Sequence, residues 1–465
     1  MKKNTAALIL AAGKSTRMKS ETIKVLHRVS GKYIIDFVLE TVEAVRAKTV
    51  PAKAGIQQNK ISDVYLVIGH QGKILKELYK CKYNFVEQKD QLGTGHAVET
   101  ALKKIKGNFE NIIVLNGDMP LIEDKDIKDL IDYHVKNNCD ATVLTVEAEG
   151  KTDFGRILRS ASGKIEKIVE VKDANFQELE IKEVNSGVYC FKLKALKIAL
   201  SKIGFENRQK EKYLTDTISY LVKNDFSVDA YVSENKNLAI GINTRVDLAK
   251  VASIINEKKL VEVMLGGVTV IDPANTYIHE DVKIGADTVI NPFTIIEGET
   301  VIGKNCVIGP STRINNCVIG NQVSAENAVL LESEIKDKVN IGPFAYIRPG
   351  SVIGSNVKIG DFVEIKKSSI GNGSKVPHLS YIGDSLVGEK VNIGAGVITC
   401  NYDGNEKHKT IIADNCFIGA NSNLVAPLKI GKGSKTGAGS VVTKDIPENT
   451  LAVGIPARAI KKISR

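Results

Sequence analysis

The chain has 465 residues, 43% hydrophobic and 25% charged, which excludes a disordered or fibrous protein and suits about two to four domains. Its net charge of +10 is uneven: residues 266–465 carry 21 Lys+Arg against 19 Asp+Glu, so +8 of the excess precedes them. Those lysines are scattered among acids, which reads as a solvated basic surface, with small phosphorylated substrates as the functional alternative and nucleic acid a distant third.

Trp is absent and aromatics are only 5%, so aliphatic residues must build the cores. Seven dispersed cysteines form no C-x-x-C pair and read as reduced thiols of a cytoplasmic protein. No segment approaches the ~18 apolar residues of a membrane span. The start imitates a signal peptide, with Lys2-Lys3 before an apolar run from Ala6 to Ala12. That run ends in Lys14-Ser15-Thr16-Arg17 without a cleavage site, so it reads as a buried first strand.

Strands are expected at Ala6–Leu10, Val64–Ile68, Ile112–Leu115, Ala141–Val146 and Val188–Phe191, with helical spacing at Tyr33–Val45, His96–Ile105 and Ile127–Val135. Strand–helix alternation predicts a largely parallel α/β sheet that binds ligands at the carboxyl ends of its strands. Arg46–Lys60, which contains Pro, Gly and Gln, reads as a surface loop. A linker helix follows over 244–266. Thr244 and Asp247 make its capping box, and Leu248, Val251, Ala252 and Ile255 its apolar stripe.

The remainder, 267–465, places an aliphatic residue at every sixth position, as in Ile284, Ile290, Ile296, Ile302, Ile308 and Ile314. A helix of 3.6 residues per turn would smear those side chains around its cylinder. A period of six instead predicts a parallel β-helix, with stacked aliphatics inside and glycines at the corners. Five-residue steps near Ile370 and Val387 disturb the period, and Thr399–Thr410 cannot continue a hexad and must loop out. The tail Asn449–Arg465 is expected to leave the pattern and cover the open end.

Leu10-Ala11-Ala12-Gly13, with Arg17 and Lys24 downstream, offers backbone N–H groups and fixed positive charge to phosphate. Asn116-Gly117-Asp118 follows a strand, so Asp118 is placed to hold a divalent metal; the competing reading is a cap for the helix after Pro120. These residues, with Gln88-Lys-Asp-Gln91-Leu-Gly93-Thr94-Gly-His, Phe154-Gly155-Arg-Ile and VEVKDA, resemble the sugar-1-phosphate nucleotidyltransferases. With the repeats, nearly the whole chain resembles the bacterial bifunctional N-acetylglucosamine-1-phosphate uridyltransferase/glucosamine-1-phosphate N-acetyltransferases.

The resemblance implies a Rossmann-like uridyltransferase domain over 1–243, the linker helix, and a left-handed β-helix acetyltransferase domain. It implies that Leu10–Gly13 and Lys24 contact the nucleotide, Arg17 stabilises charge during transfer, and Gln88, Gly93 and Thr94 read uracil. Gly155, Glu170 and Asn185 would hold the acetamido sugar, and Asp118 with Asn243 would ligate Mg²⁺. From position alone, Asn243 would be a turn residue before Thr244. Ser15 and Ile23 stand where the family usually has glycine and proline, so an altered phosphate loop is expected.

His378–Gly404 resembles the family's acetyltransferase site. By that resemblance His378 is the general base, Arg348 and Lys366 clamp the sugar phosphate, and Tyr381 and Asn392 hold the sugar. Ala395, Asn401, Tyr402, Ala420 and Ala438 would lie along acetyl-CoA, with Lys407 on the extruded loop. Ala420 replaces a common serine, and the tail lacks a clear match to the usual C-terminal arginine. The implied partners are UTP, glucosamine-1-phosphate, N-acetylglucosamine-1-phosphate and acetyl-CoA, in a homotrimer with sites between neighbouring β-helices. The rivals are a nucleotidyltransferase of other specificity with a regulatory β-helix, and a non-catalytic scaffold.

Overall fold

The computed structural model describes residues 4–13, 16–47, 60–150 and 152–462, so Ser15 and positions 48–59 of the expected surface loop lie outside the described residues. Two compact units form, Met1–Ser253 and Ile254–Arg465. The division falls within the helix Arg245–Leu265. At its start the expected capping box is formed: Thr244 Oγ1 accepts from Asp247 N at 3.2 Å, and Asp247 Oδ2 accepts from Thr244 N at 2.8 Å.

The first unit is built on β1 (Asn4–Ala11), β2 (Lys60–Ile68), β3 (Asn84–Glu87), β4 (Asn111–Asn116), β5 (Ala141–Glu147), β6 (Arg156–Arg159), β7 (Ile165–Val169), β8 (Glu183–Lys192) and β9 (Val228–Val232). Their order is β9-β5-β8-β4-β1-β2-β3, and β6 and β7 extend the sheet from β8. β1 is central and parallel to both β2 and β4, and Ala6–Ile9 are fully buried. Alternation sends Ala7, Ile9 and Ala11 toward helices Ile34–Ala47 and Asp124–Lys136. Ala6 and Leu8 face Thr94–Leu102, Leu193–Leu200 and Asp216–Lys223. Both faces are therefore covered, as a parallel sheet requires.

The second unit is a left-handed parallel β-helix of three flat faces. Ile290, Ile308, Ala325, Ile341, Ile359, Val376, Ile393 and Ile418 stack inside the first face. Ile296, Ile314, Leu330, Ile347, Ile365 and Ile382 stack inside the second, and Ile302, Ile319, Ile335, Ile353, Ile370 and Val387 inside the third. All seven cysteines are free. Among the described residues no helix is long and apolar enough to cross a membrane.

Three expectations are refined. Glycine does serve left-handed corners, as at Gly350, Gly373, Gly396 and Gly439, but others directly after an aliphatic permit close coil-to-coil approach instead: a Cβ on Gly303 would lie 2.5 Å from Gly320 O. Two positions after such a glycine, left-handed φ falls on Asp287, Asn305 and Gln322. The five-residue steps leave the ladders unbroken, because each shortens a corner by one residue. Last, the tail does not leave the repeat at Asn449. Ile446 bridges Ile430, and Ala452 six residues later is buried beside Thr436. Only Ala457–Lys462 departs, folding back antiparallel on Thr450–Gly454.

Candidate active sites

The parallel register of β1 and β4 pairs Leu10 with Asn116, so the turns after these strands emerge side by side. Gly117 N donates to Leu10 O at 2.9 Å and locks them together. They open on a cavity of about 660 Å³ lined by Leu10–Gly13, Arg17, Lys24, Gln88, Gly93, Thr94, Asn116, Asp118 and Asn243. Nearly all the nucleotide-site residues expected from sequence thus meet in one hollow.

Within it, Lys24 Nζ pairs with Asp118 and lies 3.3 Å from Asn243 Oδ1. Arg17 donates to Asp153 Oδ2 at 3.0 Å and to Asn243 Oδ1 at 2.9 Å. Asn243 is therefore more than a turn residue, since its amide oxygen faces two cations. Asp118 does not cap the following helix; Glu123 and Asp126 do. A carboxylate and an amide oxygen around one ammonium form a hard-donor locus suited to a small divalent cation. Among the described residues no cluster of three or more His, Cys, Asp or Glu could hold a metal alone.

Gln88 is 3% exposed and Gly93 holds φ of +106°. A Cβ on Gly93 would sit 2.5 Å from Lys212 O, so only glycine fits this turn. Thr94 Oγ1 accepts from Leu214 N at 3.0 Å, which pins the start of the next helix.

Gly155, Glu170 and Asn185 meet in a separate cluster. Asn185 N donates to Gly155 O at 2.9 Å, and Asn185 Nδ2 donates to Tyr189 OH at 2.6 Å. Thr215 donates to Glu170 at 3.2 Å. Burial pushes the Glu170 carboxyl above its usual range, only partly opposed by that hydroxyl. This trio does not line the first cavity. A second one, also about 660 Å³, contains Asp153, Phe154, Arg156 and Glu180 and shares Asn243.

On the β-helix, the polar residues occupy two corners flanking the second face. At the first–second corner, His378 Nδ1 lies 2.5 Å from Asp361 Oδ1. The hydrogen bond from His378 holds the Asp361 carboxyl below its usual range. Asp361 and His378 are register partners. The backbone ladder then runs from His378 O to Gly396 N, from Ala395 O to Asn421 N, and from Ala420 O to Gly439 N. Ala395, Ala420 and Ala438 thus line one edge leading away from His378.

At the second–third corner, Arg348 donates to Glu364 at 2.7 Å, and Lys366 donates to Asp384 at 2.9 Å. Asn401 Nδ2 donates to the same Asp384 oxygen at 2.5 Å and to Tyr381 OH at 3.4 Å. Burial alone would raise the Asp384 carboxyl, but Lys366 and Asn401 together hold it low. The Lys407 ammonium is lowered by its neighbour Lys366. The second face, carrying Glu364 and Tyr381 in register, spans the two corners. Asn392 pairs with Phe417 on the adjoining first face, and Tyr402 lies on the exposed loop.

Residues 7–161 match the MobA-like NTP transferase domain, 281–316 the bacterial transferase hexapeptide (six repeats), and 332–429 the GMPPB C-terminal domain. A bifunctional protein GlmU of Syntrophomonas wolfei is 46% identical over 449 residues, covering 96% of this chain and 97% of the relative. One of Carboxydothermus hydrogenoformans is 47% identical, covering 96% of each. One of Clostridioides difficile is 42% identical, covering 99% of this chain and 97% of its own.

The chain belongs to the bifunctional GlmU family.

Sequence reasoning reached this family but passed over residues that complete its cavities. Gln91 and Lys172 lie within quoted motifs and line the first cavity, as do Gln209 and Glu211, whose segment carries no motif. The acidic partners Asp153, Asp361, Glu364 and Asp384 gave no signal either. Asp153 meets Arg17 across 136 positions, a separation that no local pattern encodes.

Proposed function

We propose that this GlmU-family chain makes UDP-N-acetylglucosamine in two steps, one per unit. The observation that carries the assignment is full-length similarity to bifunctional relatives in a chain holding two separate polar sites.

In the second unit the amine of glucosamine-1-phosphate attacks the acetyl carbonyl of acetyl-CoA; the C–N bond forms and the C–S bond breaks. His378 Nδ1 is occupied by Asp361, which leaves Nε2 to take the amine proton. Arg348 and Lys366 bind the sugar phosphate, Tyr381 and Asn392 hold the ring, and Ala395, Asn401, Tyr402, Ala420 and Ala438 receive the coenzyme.

In the first unit a phosphate oxygen of N-acetylglucosamine-1-phosphate attacks the α-phosphorus of UTP, and the bond to pyrophosphate breaks. The nucleophile is already anionic, so no strong base is needed. Positioning by the Leu10–Gly13 turn and charge neutralisation by Arg17 and Lys24 carry the step. Mg²⁺ held by Asp118 and Asn243 would neutralise further charge on the triphosphate. Gln88, Gly93 and Thr94 read the base, and Gly155, Glu170 and Asn185 the sugar.

The cellular setting is cytoplasmic and the assembly a homotrimer. Free thiols and the exposed apolar column of Phe344, Phe362 and Leu379 beside His378 support these readings.

Separating the two activities tests the assignment. His378→Ala abolishes CoA release with glucosamine-1-phosphate and leaves uridylyl transfer intact. Asp118→Ala does the converse. Loss of both activities in a folded His378→Ala protein would refute the division, and retained Mg²⁺-dependent uridylyl transfer in Asp118→Ala would remove Asp118 from the site.

A further inference from the structure

The Gln88 side chain is almost wholly buried, yet it lines the nucleotide cavity. Its amide nitrogen lies 3.2 Å from Gly93 O and 3.0 Å from His96 Nδ1. The first contact fixes which end of the amide is which. A carbonyl oxygen placed there would oppose the Gly93 carbonyl, so the nitrogen must face it. The second contact then fixes the histidine. With one proton donated to Gly93 O, the other points at Nδ1, which must be bare, and the ring carries its proton on Nε2. Both amide protons are thereby spent. Among the described residues no partner meets Gln88 Oε1, and that oxygen is the side chain's remaining polar group toward the cavity.

The consequence is chemical discrimination between bases. Uracil presents a donor at N3–H, whereas cytosine presents a lone pair at N3. A fixed acceptor pairs with the first and repels the second, and a buried acceptor left unpaired makes rejection strong. An amide free to rotate would serve both bases. The Gly93 turn is clamped by Gly95 N on Lys212 O and Lys212 N on Leu92 O, each at 2.8 Å. His96, on the helix Thr94–Leu102, supplies the second lock.

We propose that His96 is a positioning residue for base selection: its bare Nδ1 holds the Gln88 amide so that Oε1 faces the N3–H of uracil. The inference rests on Gln88 being the base-reading residue. The test is kcat/KM for UTP and for CTP, measured with the full chain and N-acetylglucosamine-1-phosphate, for the wild type, Gln88→Ala, His96→Ala and His96→Asn. His96→Ala should lower the UTP/CTP ratio about tenfold, chiefly through KM for UTP, because a lost hydrogen bond of this kind is worth about that factor. His96→Asn, whose Oδ1 stands near the place of Nδ1 and can only accept, should keep the ratio within about threefold.

A lowered ratio in Gln88→Ala with an unchanged ratio in His96→Ala overturns the inference and leaves Gln88 as the reader. An unchanged ratio in both removes Gln88 from base reading, and the inference with it. An equal loss of ratio in His96→Asn would refute the acceptor role. If His96→Ala fails to fold, His96→Leu, closer in volume and lacking an acceptor, replaces it; a retained ratio there refutes the proposal.

Discussion

Glu170 illustrates how a buried carboxylate costs stability. Its folded-state pKa is raised chiefly by burial, with one hydroxyl in partial compensation. A carboxyl with a raised folded pKa binds its proton more tightly when folded than when unfolded. The resulting penalty is absent below the unfolded pKa and grows as pH rises through the window toward the folded value. Glu170→Gln removes the ionisation. Thermal unfolding should place the variant above the wild type at pH 7.5, with the gap closing toward pH 4. If Glu170 binds the sugar, KM for N-acetylglucosamine-1-phosphate rises about tenfold to a hundredfold, since hydrogen bonds to charged groups are worth ~1.5–3 kcal/mol. A variant less stable at pH 7.5 would contradict the assignment. At this scale the sequence was half legible. Asp118 and Lys24 announced themselves by strand and motif, but their environments did not. Burial of Glu170, the Asp153 partner of Arg17 and the His96 contact of Gln88 arise from chain segments that only folding juxtaposes.

The elements were far more legible, because period is a local property. The sixfold repeat predicted the prism, and the failure of the repeat at Thr399–Thr410 predicted the extruded loop. Sequence left unstated how that loop is held. Asp403 accepts from the backbone N–H groups of Glu406 and Asn405, each at 2.8 Å, and from the His408 ring at 2.7 Å. These bonds hold its carboxyl far below the usual range. Tyr402 also bridges Lys407 in antiparallel fashion. Asp403→Ala should loosen the loop that carries Asn401, Tyr402 and Lys407. We expect KM for acetyl-CoA to rise about tenfold, the scale of one or two lost hydrogen bonds. Uridylyl transfer and the unfolding temperature should stay unchanged, because the loop lies outside the stacked core. Unaltered KM for acetyl-CoA would remove the loop from coenzyme binding. The step Ile365 to Ile370 teaches the opposite lesson. It shortens the Lys366 corner, whereas His378 follows at the first–second corner, so the irregularity does not itself place His378.

Across the whole molecule, one corner of the β-helix carries strain that the isolated chain does not need. Phe344, Phe362 and Leu379 adopt φ of 61°, 55° and 48°, at positions where other coils place Asn327, Gly396, Asn421 or Gly439. Left-handed backbone costs a bulky residue about 1–2 kcal/mol. The three side chains are nonetheless 57%, 57% and 60% exposed, and the two rings stack with centroids 5.1 Å apart. Strain and exposure together are explained if a second copy of the chain covers this column in the proposed trimer. Phe344→Asn with Phe362→Asn relieves the backbone and removes the apolar surface at once. Losing two buried Phe side chains per protomer, at ~1.5–3 kcal/mol each, should weaken association about a hundredfold or more. Light scattering would then report smaller species, with acetyl transfer lost and uridylyl transfer retained. Because asparagine tolerates left-handed φ, the β-helix itself should unfold no earlier than the wild type. A trimer that persists with full acetyl transfer would show that this column faces solvent in the assembly, and its strained phenylalanines would need another purpose.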